Sequence, residues 1–265
     1  MEKPSQLKIS CLSIAGFDPT GGAGVVADIL TFSRLKVWGT AAVAVITAQN
    51  NARVYQVKPV PASILRRQVE SVLEDFSIQA IKIGALGSRA NIREVSRLIE
   101  SAQIEKVVVD PILRARDGTR LMEKGGAGDY QDYLFPLATI ITPNLVEAAE
   151  FTGFEVRNPK EMEKAARALS RSGAGAVLVK GGHLKRGAPR DLLFEKGEIS
   201  WISGTRRVRA RVHGTGCLLS SAITAFLARG KTPLDSVLAA KAMITRAIID
   251  SQKYPGWRYR LMIRK

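Results

Sequence analysis

A chain of 265 residues, 46% hydrophobic and 24% charged, is long enough to bury a substantial core in one large α/β domain. Its two cysteines, Cys11 and Cys217, lie far apart in different contexts, which argues against a disulfide framework and for a reducing compartment. The net charge of +16 admits a nucleic-acid partner or phosphorylated substrates. Only 6% of residues are aromatic, and no helix-turn-helix, zinc-ligand or RNA-binding signature accompanies the scattered Lys and Arg, which argues against specific nucleic-acid binding.

No stretch approaches the roughly 18 uninterrupted apolar residues of a membrane span, and the first ten residues lack the pattern of a signal peptide. The expectation is a soluble, cytoplasmic protein. Residues 7–15 read as a buried strand feeding a loop, Gly16-Phe17-Asp18-Pro19-Thr20-Gly21-Gly22-Ala23-Gly24. Residues 23–36 then predict a helix with Val26, Ile29, Leu30 and Leu35 on its apolar side. Residues 40–47 are almost continuously apolar, as in a parallel strand covered on both faces, and end in Ala48-Gln49-Asn50. A helix over 62–76, a strand over 79–84 and a helix capped by Ser88 and reaching 102 follow. Residues 106–110 predict a strand with Asp110 at its carboxyl end and Pro111 blocking continuation. Residues 113–118 read as a loop, and Gly125-Gly126-Ala127-Gly128 leaves the next helix unplaced.

Residues 138–142 predict a strand, and Pro143-Asn144-Leu145-Val146-Glu147 opens a helix. Asn158 and Pro159 suit the N-cap and first position of a helix through 171. Residues 174–180 predict a strand ending in Gly181-Gly182-His183, and two or three short strands occupy 191–212, with Arg207, Arg209 and Arg211 on one face. Next, Val212-His213-Gly214-Thr215-Gly216-Cys217 turns an apolar segment into a helix, so that several N–H groups of the first turn point at one spot and attract an anion. Cys217 lies at the positive end of that helix, where a thiol pKa is expected to fall. Thr232-Pro233-Leu234-Asp235 starts a helix to 249, and 254–265 form a basic tail. This alternation predicts one doubly wound, mainly parallel α/β domain over 1–265, with helices on both faces. Strands of such a sheet end on one edge, where Asp18, Gln49, Asp110, Asn144, Glu147, Lys180 and Cys217 could converge.

At this point the motifs carry a resemblance. Residues 15–24 with Ala27-Asp28, then Thr47-Ala48-Gln49-Asn50, Lys82-Ile83-Gly84, Val109-Asp110-Pro111, Ile141-Thr142-Pro143-Asn144-Leu145 with Glu147-Ala148, Val179-Lys180-Gly181-Gly182-His183 and His213-Gly214-Thr215-Gly216-Cys217 occur in order. Together they resemble the hydroxymethylpyrimidine and phosphomethylpyrimidine kinases of thiamine biosynthesis, within the ribokinase-like superfamily. The resemblance runs from about residue 8 to 250. It implies ATP-dependent phosphorylation of 4-amino-5-hydroxymethyl-2-methylpyrimidine and then of its monophosphate, by a homodimer.

The resemblance also implies roles. The N–H groups of Gly214, Thr215, Gly216 and Cys217 would hold the transferring phosphoryl group, with Cys217 accepting or orienting the hydroxyl proton where many relatives carry aspartate. Asp110 and Glu147, with Asn144, would hold Mg²⁺ directly or through water. Lys180 would meet ATP phosphates. Gln49 would pair with the pyrimidine ring, with Gly16 and Asp28 lining the same pocket. Taken singly, Asp110, Asn144 and Glu147 read equally as helix caps, Lys180 as a surface residue and Gln49 as a satisfied core amide. His183 and His213 read best as histidines bonded to backbone, and two histidines without a compact Cys/His set argue against zinc.

Departures from the family pattern are Phe17, expected to narrow the pocket mouth, Ala85, expected to widen it, and Arg114, Arg116 and Asp117 in the lid. Arg207, Arg209 and Arg211 favour a substrate already bearing phosphate, if they face the site. The alternatives are a pyridoxal kinase of the same superfamily, weakened by the lack of a cysteine between Asp110 and Gly118, and a non-catalytic ligand- or nucleic-acid-binding module.

Overall fold

Near-continuous apolar runs become the strands of one sheet, because a strand covered on both faces has no polar side to display. In the computed structural model, which describes residues 9–182, 184, 190–203 and 214–251, β1 (Ser10–Phe17) leads through α1 (Gly24–Arg34) to β2 (Trp38–Gln49) and β3 (Val54–Pro59). Then come α2 (Ala62–Asp75), β4 (Ala80–Ile83), α3 (Arg89–Ser101) and β5 (Val107–Val109). Helix α4 (Gly126–Asp129) runs into a π-helical turn, Tyr130–Leu134, followed by β6 (Ile140–Ile141), α5 (Leu145–Thr152), α6 (Pro159–Ser170) and β7 (Ala176–Val179). The hairpin β8 (Arg190–Glu195) and β9 (Glu198–Ser203) precedes α7 (Thr215–Ala228) and α8 (Pro233–Ser251).

Among the described residues, nine strands lie in the order β3-β2-β1-β4-β5-β6-β7-β8-β9. From β2 to β7 every neighbour is parallel, and β3, β8 and β9 are antiparallel. The sheet is therefore mainly parallel, as the alternation predicted. Successive side chains face opposite ways. Thus Val107 and Val109 pack into the larger core with α2, α3, α5 and α6, while Val108 packs against α7 and α8. Among the described residues no helix is long and apolar enough to cross a membrane.

Strand β3 has no counterpart among the predicted elements. It is an edge strand with Tyr55, Gln56 and Lys58 more exposed than buried and a proline at its end, so it carries little apolar signal. The glycines at 125–128 do hold a helix start: Gly125 takes φ +87°, and a Cβ on Gly126 would lie 2.4 Å from Met122 Cγ. The predicted strand 207–212, Arg207, Arg209, Arg211, His183, His213 and the basic tail lie outside the described residues.

The predicted caps are in place. Ser88 accepts from Asn91 N–H at 3.2 Å and Asn158 from Glu161 N–H at 3.0 Å. The strand ends are tied in steps: Gly84 N–H donates to Ile14 O, Asp110 N–H to Ile83 O, Thr142 N–H to Val109 O and Lys180 N–H to Pro143 O, at 2.8–2.9 Å. This ladder brings residues up to 166 positions apart in sequence, Ile14 and Lys180, to one edge of the sheet.

Candidate active site

At that carboxyl edge lies a cavity of about 740 Å³. Gly16, Gln49, Asp110, Asn144, Glu147, Lys180 and the Gly214, Thr215, Gly216 and Cys217 run all line it. A bulge between Ala48 and Gln49 interrupts the period-two alternation of β2, and the Gln49 amide oxygen lies 2.9 Å from Thr47 Oγ1. Gly16 follows a similar register shift in β1, and a Cβ there would lie 3.8 Å from that of Ala85. Phe17, 38% exposed, stands at the rim. Asp18 is buried in the glycine loop, accepting from Thr20 N–H at 2.9 Å and Thr20 Oγ1 at 2.8 Å.

Asp110 is the hub. Its Oδ1 receives Lys180 Nζ at 2.6 Å and Thr142 Oγ1 at 3.0 Å, and its Oδ2 receives Ser220 Oγ at 3.1 Å. Burial opposes its charge, but Lys180 and Lys82 hold the carboxyl below its ordinary pKa. Lys180 Nζ also lies 3.5 Å from where Gly216 would carry a Cβ, directly beside the start of α7. Burial likewise opposes the Lys180 charge, and Asp110 and Glu147 raise its pKa above the usual lysine value.

Helix α7 begins without a side-chain cap, so its first-turn N–H groups are left for an external acceptor. Gly214 supplies the turn at φ +80°, and a Cβ there would stand 1.7 Å from Gly22 O. Helix α1 also lacks a side-chain cap, and its first residue, Gly24, lines the cavity with Cys217, where its N–H favours the thiolate. The starts of both helices thus line the same cavity.

Two sequence expectations change here, and a third pair of readings turns out to hold together. The Cys217 thiol is not lowered but pushed up to about 11, because burial outweighs Lys82 and the Gly24 N–H, while Asp110 and Asp28 add repulsion. Asp28 does not line the cavity: it is fully buried, bonded to Lys82 Nζ at 2.7 Å, Ser13 Oγ at 2.6 Å and Ser221 Oγ at 2.5 Å. Asn144 and Glu147 form a capping box, with Asn144 N–H donating to Glu147 Oε2 at 2.8 Å and Asn144 Oδ1 accepting from Glu147 N–H at 3.0 Å. Both still line the cavity, so the cap and the site share residues. Burial, joined by Asp110, pushes the Glu147 carboxyl up to about 7 despite the opposing pull of Lys180.

No group of three or more His, Cys, Asp or Glu converges as a metal cage among the described residues. Two carboxylates, Asp110 and Glu147, beside a lysine fit Mg²⁺, which takes one or two carboxylates with phosphates and waters. Both Asp110 oxygens are already hydrogen-bonded, which favours contact through water.

The lid loop is pinned rather than free. Asp117 Oδ2 accepts from Val54 N–H at 2.8 Å, and Glu150 lies 3.6 Å from Arg114 and 3.2 Å from Arg120. Sequence reasoning noticed Lys82 without giving it a role and passed over Ser220 and Ser221. The available signal was a lysine in a buried strand and two hydroxyls three and four positions beyond Cys217, which face the same side of a helix.

The fold has solved counterparts. A phosphomethylpyrimidine kinase from Clostridium difficile aligns with a TM-score of 0.81 and 37% identity, covering 91% of this chain and all of that one. A pyridoxal kinase from Staphylococcus aureus in complex with AMP-PCP aligns with a TM-score of 0.83 and 32% identity, covering 91% of this chain and 88% of that one. Fold and site together define a ribokinase-like small-molecule kinase. A hydroxymethylpyrimidine/phosphomethylpyrimidine kinase from Rhizobium meliloti is 41% identical over 238 residues, 89% of each chain. The family model for phosphomethylpyrimidine kinase matches residues 18–259, and this chain belongs to that family.

Proposed function

We propose that the chain transfers the γ-phosphoryl group of ATP to 4-amino-5-hydroxymethyl-2-methylpyrimidine and then to its monophosphate, in thiamine biosynthesis. The observation that carries this reading is the uncapped start of α7 lying beside Asp110 and Lys180 on one cavity of about 740 Å³, space enough for a nucleotide and a small alcohol together. In-line phosphoryl transfer asks a protein mainly for positioning and neutralised charge. The N–H groups of Thr215, Gly216 and Cys217 would receive the transferring group's oxygens, and Lys180 would turn from Asp110 to the nucleotide phosphates. Asp110 and Glu147 would hold Mg²⁺, which neutralises phosphate charge when bound. Gln49 would read the polar edge of the pyrimidine, with Gly16 leaving the ring room beside it.

Cys217 would hold the attacking hydroxyl and take its proton. Acceptance requires the thiolate, and a pKa of about 11 leaves about one molecule in three thousand in that form at pH 7.5. Cys217→Ala should lower kcat by about a hundredfold with the KM for ATP little changed; an undiminished kcat removes the sulfur from the reaction. A coupled assay with ATP, Mg²⁺ and the pyrimidine alcohol, its monophosphate and pyridoxal tests the substrate class. The second reading, pyridoxal phosphorylation, draws support from the likeness to the Staphylococcus aureus enzyme, and faster turnover of pyridoxal than of either pyrimidine would establish it. The reading includes a cytoplasmic homodimer, for which exposed Ile46 and Tyr55 at the β2–β3 edge offer apolar surface.

A further inference from the structure

Lys82 and Asp28 form an ion pair, Nζ to Oδ2 2.7 Å, with both side chains wholly removed from solvent. Such a pair is rarely retained for stability, because desolvation offsets most of the attraction and apolar residues of similar volume often serve as well. Here the pair sits where β1 and β4 meet α1 and α7, and space has been made for it. A Cβ on Gly84 would stand 2.9 Å from Lys82 Nζ. Asp28 is held from three elements: by Ser13 of β1, by Lys82 of β4 and by Ser221 of α7. Ser221 lies one helical turn beyond Cys217, and its hydroxyl is 2.7 Å from the Cys217 carbonyl. Lys82 itself lines the cavity floor together with Cys217.

We propose that this pair sets the charge of the Cys217 sulfur: Lys82 is the buried counter-cation that lets the thiol release its proton, and Asp28 restrains that release. The inference rests on the reading of Cys217 as the group that takes the hydroxyl proton. Among the groups whose fields reach the sulfur are Lys82 from β4, Asp110 beyond β5, Asp28 from α1 and Lys180 beyond β7, together with the Gly24 N–H at the start of α1. Of these, Lys82 is the largest influence favouring the thiolate, after burial has opposed it. Burial also works against the Lys82 ammonium, but Asp28, Cys217 and Asp110 hold its pKa above the usual lysine value, so it keeps its proton throughout. In the reaction the alcohol oxygen bonds to the γ-phosphorus as the bond to ADP breaks. The hydroxyl proton passes to the thiolate and later to solvent. Lys82 touches no reacting atom in this scheme; it is a positioning residue acting through sulfur.

The pair makes a prediction that a purely structural role does not, because its two members act on the sulfur with opposite signs. Iodoacetamide alkylation of Cys217 in the ligand-free protein, followed by peptide mass spectrometry across pH 7–10.5, reads the thiolate directly. At pH 8 the rate should rise about tenfold in Asp28→Asn and fall about tenfold in Lys82→Met, one unit of pKa in each direction. Should Lys82→Met fold poorly for lack of a partner to Asp28, the Lys82→Met/Asp28→Asn double variant removes both charges and should return the rate toward that of the unaltered protein. Equal profiles in Asp28→Asn and the unaltered protein, or shifts of the same sign in both single variants, overturn the proposal. The pH profiles of kcat/KM separate the two layers of the argument. Opposite alkylation shifts with unshifted kinetic profiles uphold the electrostatic pairing and remove Cys217 from proton transfer.

Discussion

Gly214 is the residue where backbone geometry and chemistry are hardest to separate. Its φ of +80° lies in the left-handed region that a side chain disfavours, and a Cβ would stand 1.7 Å from Gly22 O, a contact no rotamer relieves. Gly214→Ala should therefore push the 22–24 loop away from the start of α7 and spoil both the cradle and the Gly24 N–H aimed at Cys217. The expected loss is about a hundredfold in kcat/KM, the order seen when one preorganised donor is lost, with about 1–3 kcal/mol of stability lost to backbone strain. Steady-state kinetics and urea unfolding would show both, and kcat/KM within threefold of the unaltered protein would mean that the glycine loop does not form the cradle. Cys217 teaches a second lesson at this scale. A helix N-terminus stabilises a charge by at most a few tenths to about 2 kcal/mol, and in a buried setting desolvation outweighs it, which is why the thiol rises to about 11.

At the scale of elements, α5 and α6 offer an internal comparison. Each starts on an asparagine whose Oδ1 accepts N–H groups of the first turn, Asn144 in α5 and Asn158 in α6. Only Asn144 lines the cavity. Replacing either by alanine should cost about 1 kcal/mol of stability. Asn144→Ala alone should also lower kcat, since losing Oδ1 releases the Val146 and Glu147 N–H groups and loosens the first turn that positions the Glu147 carboxyl, which is pushed up to about 7. Matched urea denaturation and coupled kinase assays on the two variants test this, and equal kcat values would reduce Asn144 to a cap. The predicted helices and parallel strands were legible because both signals are local: apolar period, caps and proline placement. Strand β3 was not, since an edge strand with one half-exposed face carries neither a continuous apolar run nor a clear alternation.

At the scale of the whole molecule, the cavity is walled by β1, β2, the ends of β5 to β7, the lid loop, α7 and α8, so anything bound there couples parts of the chain far apart in sequence. Lys241 of α8 pairs with Asp191 of β8, whose other oxygen accepts from Gly181 N–H at 2.9 Å, linking the last helix to the loop beside Lys180. A nucleotide that binds only the folded chain should raise stability by about 2.7 kcal/mol at a hundred times its Kd. Urea unfolding with and without AMP-PCP reads this, and an unchanged midpoint would take the nucleotide out of the cavity.

What the sequence determined by itself was the order of the main helices and parallel strands, the mainly parallel sheet and the set of polar residues delivered to its carboxyl edge. Each of these follows from local patterning together with the rule that parallel strands end on the same side. What only the tertiary structure decided was electrostatic. That Asp28 lies beneath the floor rather than on it, that Lys82 is its partner 54 positions away and Ser221 its partner 193 away, and that Cys217 keeps its proton all depend on burial and long-range approach. Sequence spacing records which side chains are present, but a charge takes its energy from the dielectric and the neighbours around it, and those exist only once the chain has folded.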